Sequence, residues 1–191
     1  CRLSFSGEMA FEVYCGADYG THVWQALIDA GNPFGLVPYG LEALGTMRIE
    51  KGHVTGAEID GRTTARDLHL DWMLSTRKPF IGSAMMDRNG LASPDRLQLV
   101  GLLSLDNRPF NGGAHIVEEL DEQNPHGSIG HITAACYSPA LGRYIALALV
   151  NGGKARHGSR AFVSDPLRKR FGPVQIVSHH FYDPEGSRMH G

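Results

Sequence analysis

Apolar and polar residues alternate along Ala10-Phe11-Glu12-Val13-Tyr14-Cys15, placing Phe11, Val13 and Cys15 on one side and Ala10, Glu12 and Tyr14 on the other. Phe5 and a Ser6-Gly7 turn precede this run, so the opening reads as a strand, a tight turn and a second strand. A carboxylate fixed in mid-strand, beside a glycine that lets a ligand approach the backbone, is a candidate ligand anchor. The competing reading places Glu12 on the wet face of a half-buried strand.

The period then changes. Val23, Trp24, Leu27 and Ile28 recur at helical spacing, predicting a helix over about 19–30, capped by Asp18 and closed by Gly31. Pro38 forces Val37 out of the helical region, so residues 36–39 are expected to be extended. Leu41, Leu44, Met47 and Arg48 predict a second helix over 40–51, in which Gly45 is expected to mark close packing against a neighbour. Thr64 can cap a short turn, and Leu68, Leu70 and Trp72 alternate towards an extended segment ending at Leu74. A loop over 78–82 and a short helix before Gly90 complete the first half.

Beyond Ser93-Pro94-Asp95 the text becomes strands and turns. Residues 97–105, 114–117, 128–136, 143–150, 159–163 and 174–179 are the strand candidates. Asn111-Gly112-Gly113, Asn124-Pro125-His126-Gly127, Asn151-Gly152-Gly153 and His157-Gly158 supply turns between them. The expected fold class is α+β: an α/β part over residues 1–91, then a small antiparallel β-barrel or sandwich over 92–191.

Composition narrows the chemistry. The 191 residues carry 18 Lys and Arg against 20 Asp and Glu. No basic run exceeds Arg168-Lys169-Arg170, which disfavours nucleic acid as a partner. No apolar run approaches the ~18 residues of a membrane helix. Cys1, Cys15 and Cys136 form neither a disulfide framework nor a zinc motif and suit a reducing, cytoplasmic setting. Strand-like sequence begins directly at Cys1, so the chain is expected to be a piece of a longer polypeptide, with part of its site upstream.

Ten histidines invite a metal reading. If His179 and His180 sit on a strand, they point to opposite faces and cannot share one ion, so no metal site is expected. His53, His126 and His157 lie in turns, where exposure is the ordinary state. No nucleophile elbow, P-loop or dinucleotide fingerprint is present.

Six ordered motifs nevertheless resemble one superfamily, the folate-binding aminomethyltransferases. They are Arg2-x-Ser4-Phe5-Ser6-Gly7-Glu8-x-x-Phe11-Glu12, Arg48-Ile49-Glu50-Lys51-Gly52, and Glu58-x-Asp60 with Thr63-Thr64 and Leu70-Asp71-Trp72. Lys78-Pro79-Phe80-Ile81-Gly82, Arg96 to Gly101, and Ser138-Pro139-x-Leu141-Gly142-x-x-Ile145-Ala146-Leu147 follow in order. The Gly52-His53 junction and the ending His179-His180-Phe181-Tyr182-Asp183-Pro184-Glu185-Gly186 resemble, within it, the α subunits of heterotetrameric sarcosine oxidases.

The resemblance implies tetrahydrofolate as the cofactor, held by Glu12, whose carboxylate would accept the pterin's adjacent N–H groups in a fork. Phe5 stands where the family usually has a pocket tyrosine, keeping the stacking area without the hydroxyl. Glu8 is the lesser candidate, and Leu44 stands where relatives place an arginine, so no folate contact is carried over there. The family's catalytic aspartate is expected upstream, so no catalytic residue is assigned. The implied reaction is oxidative demethylation of sarcosine to glycine. Its carbon passes to tetrahydrofolate as 5,10-methylenetetrahydrofolate or leaves as formaldehyde. FAD, FMN and NAD are implied for the whole assembly with its β, γ and δ subunits; this chain alone is expected to be inactive. A flavin-independent aminomethyltransferase or demethylase and a non-catalytic docking scaffold are the alternatives.

Overall fold

The structure is a computed structural model that describes residues 1–120 and 127–190. The proposed turn over 124–127 therefore lies largely outside the described residues. Six antiparallel strands, β1 (Leu97–Ser104), β2 (His115–Val117), β3 (Ser128–Ser138), β4 (Arg143–Asn151), β5 (Arg160–Asp165) and β6 (Arg170–Val177), close into a barrel in the order β1-β4-β3-β2-β5-β6. Closure leaves no free sheet edge. It decides between the barrel and the sandwich that strand pattern alone leaves open.

Small side chains make so narrow a barrel possible. Ala114, Ala146, Ala148 and Ala161 share its interior with Val100, Leu102, Ile116, Ile132 and Ile176. The alternate residues of β1 and β4, including Leu99, Ile145, Leu147 and Leu149, face outward yet are also buried, under Ile49, Leu68, Leu70 and Phe181. A strand covered on both faces needs apolar residues at every position, which explains the unbroken Ile145-Ala-Leu-Ala-Leu-Val150 run. In β3 the pairing with β4 shifts between Ile132 and Ala134. That bulge moves Ala134 and Cys136 to the outer cluster and leaves Ala135 against the interior, a switch that simple alternation misses.

The first half departs more from its pattern. Helix α1 (Gly20–Gly31) forms, but its N-cap is Tyr19, and Asp18 lies in a preceding 3-10 turn without making a capping bond. The chain continues helically through Gly31 and reverses at Gly35. No residue of α1 is fully buried: Val23 and Ile28 of its apolar stripe are half-buried, and Trp24 and Leu27 are exposed. Helix α2 (Leu41–Lys51) occurs where its spacing places it. Gly45 faces open space, contrary to the close contact expected there. The turn capped by Thr64 forms, its hydroxyl accepting from Asp67 N–H at 3.3 Å, but residues 68–74 continue in turns and a 3-10 segment rather than an extended run, with Leu68 turned inward against β1 and β4. A four-residue helix α3 (Asn89–Ala92) includes Gly90 instead of ending before it.

The opening strand pair is absent as regular structure. Only one antiparallel bridge, Arg2 to Phe11, is formed, with Leu3 N–H donating to Ala10 O at 3.3 Å and Glu12 N–H to Cys1 O at 2.8 Å. A two-stranded pairing without a third strand or a covered face is marginal, and no further strand adjoins it among the described residues. No helix is long and apolar enough to cross a membrane among the described residues.

Candidate functional site

Glu12 is exposed, and the Tyr14 hydroxyl donates to its Oε2; Oε1 has no protein partner among the described residues. The hydrogen bond to this carboxylate, and then its charge, holds the Tyr14 hydroxyl above its ordinary pKa. The alternation that puts Glu12 and Tyr14 on one side was the signal for this pairing. Phe5 is also exposed; its carbonyl accepts from His53 Nδ1 at 3.0 Å, and the two rings lie 6.4 Å apart. His53 is therefore half-buried rather than an exposed turn residue. Burial lowers its pKa, against the bond to Phe5. No hydrogen bond joins Phe5 to Glu12 among the described residues.

The loop between them is held from beneath. Gly7 adopts φ +82°, and a Cβ there would lie 2.8 Å from Lys51 Cβ and Cγ. On its Cβ side Gly7 is approached closely by the Lys51 stem. Lys51 is buried and its ammonium donates to the Asp183 carbonyl and pairs with Asp183 Oδ2 at 3.2 Å. Glu8 pairs with Arg188 at 2.6 Å, which accounts for Glu8 without a ligand role.

The end of α2 carries four successive buried residues, Arg48, Ile49, Glu50 and Lys51. No single helix face could bury all four; the barrel covers one side and residues 178–186 the other. Each charge is answered. Arg48 pairs with Glu58, which is wholly buried and also accepts from Thr55 N–H at 2.7 Å. Glu50 accepts from Ser138 Oγ and, at 3.4 Å, from Ala140 N–H, while its carbonyl takes the N–H groups of Phe181 and Tyr182. Asp67 is buried against Arg96, whose Nη2 lies 2.8 Å away. These motif residues join the helix, the barrel and the C-terminal segment. Sequence alone singles out their types without revealing that structural use.

Strand β6 ends at Val177, so strand alternation does not govern His179 and His180. Their rings stand 3.9 Å apart, and His179 also stacks on His69 at 4.9 Å. Burial and then the neighbouring histidines push His179 down to about 3. Among the described residues, no group of three or more His, Cys, Asp and Glu could hold a metal ion. Cys136 is pushed up to about 11 by burial and then by Glu50, which leaves it a poor nucleophile.

Residues 1–78 match the GCVT N-terminal domain, and residues 98–183 match the glycine cleavage T-protein C-terminal barrel domain. The sarcosine oxidase subunit alpha of Rhizobium meliloti (strain 1021) is 43% identical over 191 residues, covering 99% of this chain and 19% of its own length. The Corynebacterium sp. (strain U-96) subunit alpha is 36% identical, covering 100% of this chain and 20% of its own length. An aminomethyltransferase of Bacillus subtilis (strain 168) is 28% identical across 95% of this chain and 48% of its own. The crystal structure of glycine cleavage system aminomethyltransferase T from Bartonella henselae shares the fold, with TM-score 0.79, 22% identity and coverage of 96% and 49% of the two chains. The chain thus spans about a fifth of the sarcosine oxidase relatives and about half of the aminomethyltransferases. With both domain matches in order along one chain, and the barrel of the second formed in the structure, the chain belongs to the glycine cleavage T-protein family.

Proposed function

We propose that this chain is the folate-binding module of a sarcosine oxidase-type α subunit, with Glu12 as the pterin anchor. The observation that carries this reading is the Glu12 carboxylate itself: exposed, with Oε2 bonded to Tyr14 and Oε1 without a protein partner among the described residues. A carboxylate with spare acceptor capacity fits a donor pair such as the pterin ring N–H and amino group. Phe5 offers an exposed ring as apolar surface for the same ligand. Tetrahydrofolate, when bound, supplies the nitrogen that accepts a one-carbon unit. Glu12 fixes the ligand's orientation and so contributes through proximity. The catalytic aspartate, the flavins and NAD belong to other parts of the assembly, with its β, γ and δ subunits, and the chain alone does not oxidise sarcosine. We place the division between the folate part and the barrel at residues 91 and 92, and the protein in the cytoplasm, where free Cys1, Cys15 and Cys136 are stable.

The test is Glu12→Gln in the complete polypeptide, with tetrahydrofolate affinity measured by calorimetry. Loss of a charged acceptor is expected to weaken binding roughly tenfold or more. An unchanged Kd refutes the anchor. One observation supports a second reading, a docking scaffold: Trp24 (57%), Phe34 (90%), Val37 (76%) and Trp72 (77%) are exposed. Failure of the complete polypeptide to bind tetrahydrofolate favours that alternative.

A further inference from the structure

The last residues of the chain reach back to its first. Arg188 pairs through Nε with Glu8 at 2.6 Å, and its carbonyl accepts Met9 N–H at 3.0 Å. Arg2 Nη2 donates to Met189 O at 2.7 Å. Arg188 also lies 5.3 Å over the Tyr182 ring. The contacts to the opening segment, at Arg2, Glu8 and Met9, fall just before Glu12.

Asp183 sets the shape of this returning segment. Its backbone is left-handed at φ 46°, and its Oδ1 accepts from Ser187 N–H at 3.0 Å and Ser187 Oγ at 2.6 Å. Oδ2 accepts from Arg188 N–H at 3.1 Å and faces Lys51 Nζ at 3.2 Å. The Ser187 hydroxyl first, then Arg188 N–H, Lys51 and Ser187 N–H, hold its carboxyl down at about 2 against the opposing effect of desolvation, so it stays ionised. Upstream, His180 Nδ1 donates to Lys51 O at 2.8 Å, and a Cβ at Gly52 would overlap the His179 carbonyl. One end of the segment is therefore fixed to α2, and the other grips the loop carrying Ser6 to Met9.

We infer that residues 183–189 form a clasp that positions the Glu12-bearing segment, with Asp183 and Arg188 as its positioning residues. Among the described residues the opening pair forms a single bridge, and the clasp adds a constraint to it. The ligand consequence rests on the folate reading above; the mechanical one does not. With the clasp open, Glu12 keeps its carboxylate but loses its fixed placement, so affinity falls without loss of any ligand contact.

The experiment uses the complete polypeptide with Arg188→Glu, the exchange Glu8→Arg/Arg188→Glu, and truncation after Gly186. Hydrogen exchange reads the amides of Met9 and Glu12, and calorimetry reads tetrahydrofolate binding. Arg188→Glu and the truncation are expected to speed exchange at residues 9–12 while β1 and β4 stay protected. The same two variants should weaken tetrahydrofolate roughly fivefold, and the exchanged pair should recover both properties. Unchanged exchange at residues 9–12 in the truncated protein overturns the clasp whether or not folate binds. Faster exchange with an unaltered Kd overturns its positioning role, provided Glu12→Gln lowers affinity. If Glu12→Gln also leaves binding unchanged, the folate reading fails, and faster exchange still supports the clasp as the constraint on this segment.

Discussion

Lowering the pH from 7 to 5 is expected to cost the fold about 2 kcal/mol through His179 alone. His179 is 7% exposed, stacked on His69 and tilted against His180, with burial, then His180 and His69, pushing it down to about 3. In the unfolded chain the same imidazole titrates near ~6.5. Between these values the unfolded state binds a proton that the folded state refuses, so stability falls as pH falls. Each pH unit below the unfolded value costs ~1.4 kcal/mol, and the loss saturates near pH 3 at about 5 kcal/mol. Burial also lowers His53, His131 and His157, adding losses of the same sign. Asp183, held down at about 2, acts in a lower window: its stabilisation is present above ~3.8 and disappears between there and 2. Urea denaturation of wild type and His179→Phe at pH 7, 6 and 5 isolates the His179 contribution. Phenylalanine keeps the stacked ring, so its stability profile should be flatter by about 2 kcal/mol across this range. Parallel profiles refute the reasoning.

Gly45→Ala should raise stability by up to about 1 kcal/mol, read as an increased urea midpoint, because the new methyl enters open space within α2. A lowered midpoint shows that something packs against that site. Arg48→Met should destabilise by about 3–5 kcal/mol, since it strands the fully buried Glu58 carboxylate; a loss below 1 kcal/mol in the same urea measurement contradicts the pairing. Maleimide labelling at pH 8 should modify the exposed Cys1 and Cys15 rapidly and Cys136 only after unfolding, as peptide mass mapping will show. Rapid native labelling of Cys136 refutes the protection expected of its half-buried, raised-pKa thiol.

What the sequence determined was local or repeated. The strands β1 to β6 were legible because their short apolar stretches and glycine-rich turns are written within each segment. Helix α2 was legible for the same reason, and six motifs in order identified the family without any contact being known. Helix α1 was legible as a helix, but its apolar stripe gave no warning that Trp24 and Leu27 would be exposed among the described residues. The opening strands failed because alternation specifies a face, whereas a strand also needs a neighbour.

Only the tertiary structure decided what lies between distant residues. Lys51 and Asp183 are 132 positions apart and Glu8 and Arg188 are 180 apart, separations that no periodicity encodes. Burial of Arg48, Glu50 and Lys51 contradicts their local polarity, because desolvation is offset by partners that exist only after the barrel and tail have assembled. The bulge in β3 and the close approach of His179 and His180 likewise depend on where strands end. Glu12 was visible from the first lines of the sequence as a carboxylate; its Tyr14 contact and the clasp beside it became visible only when the two ends of the chain met.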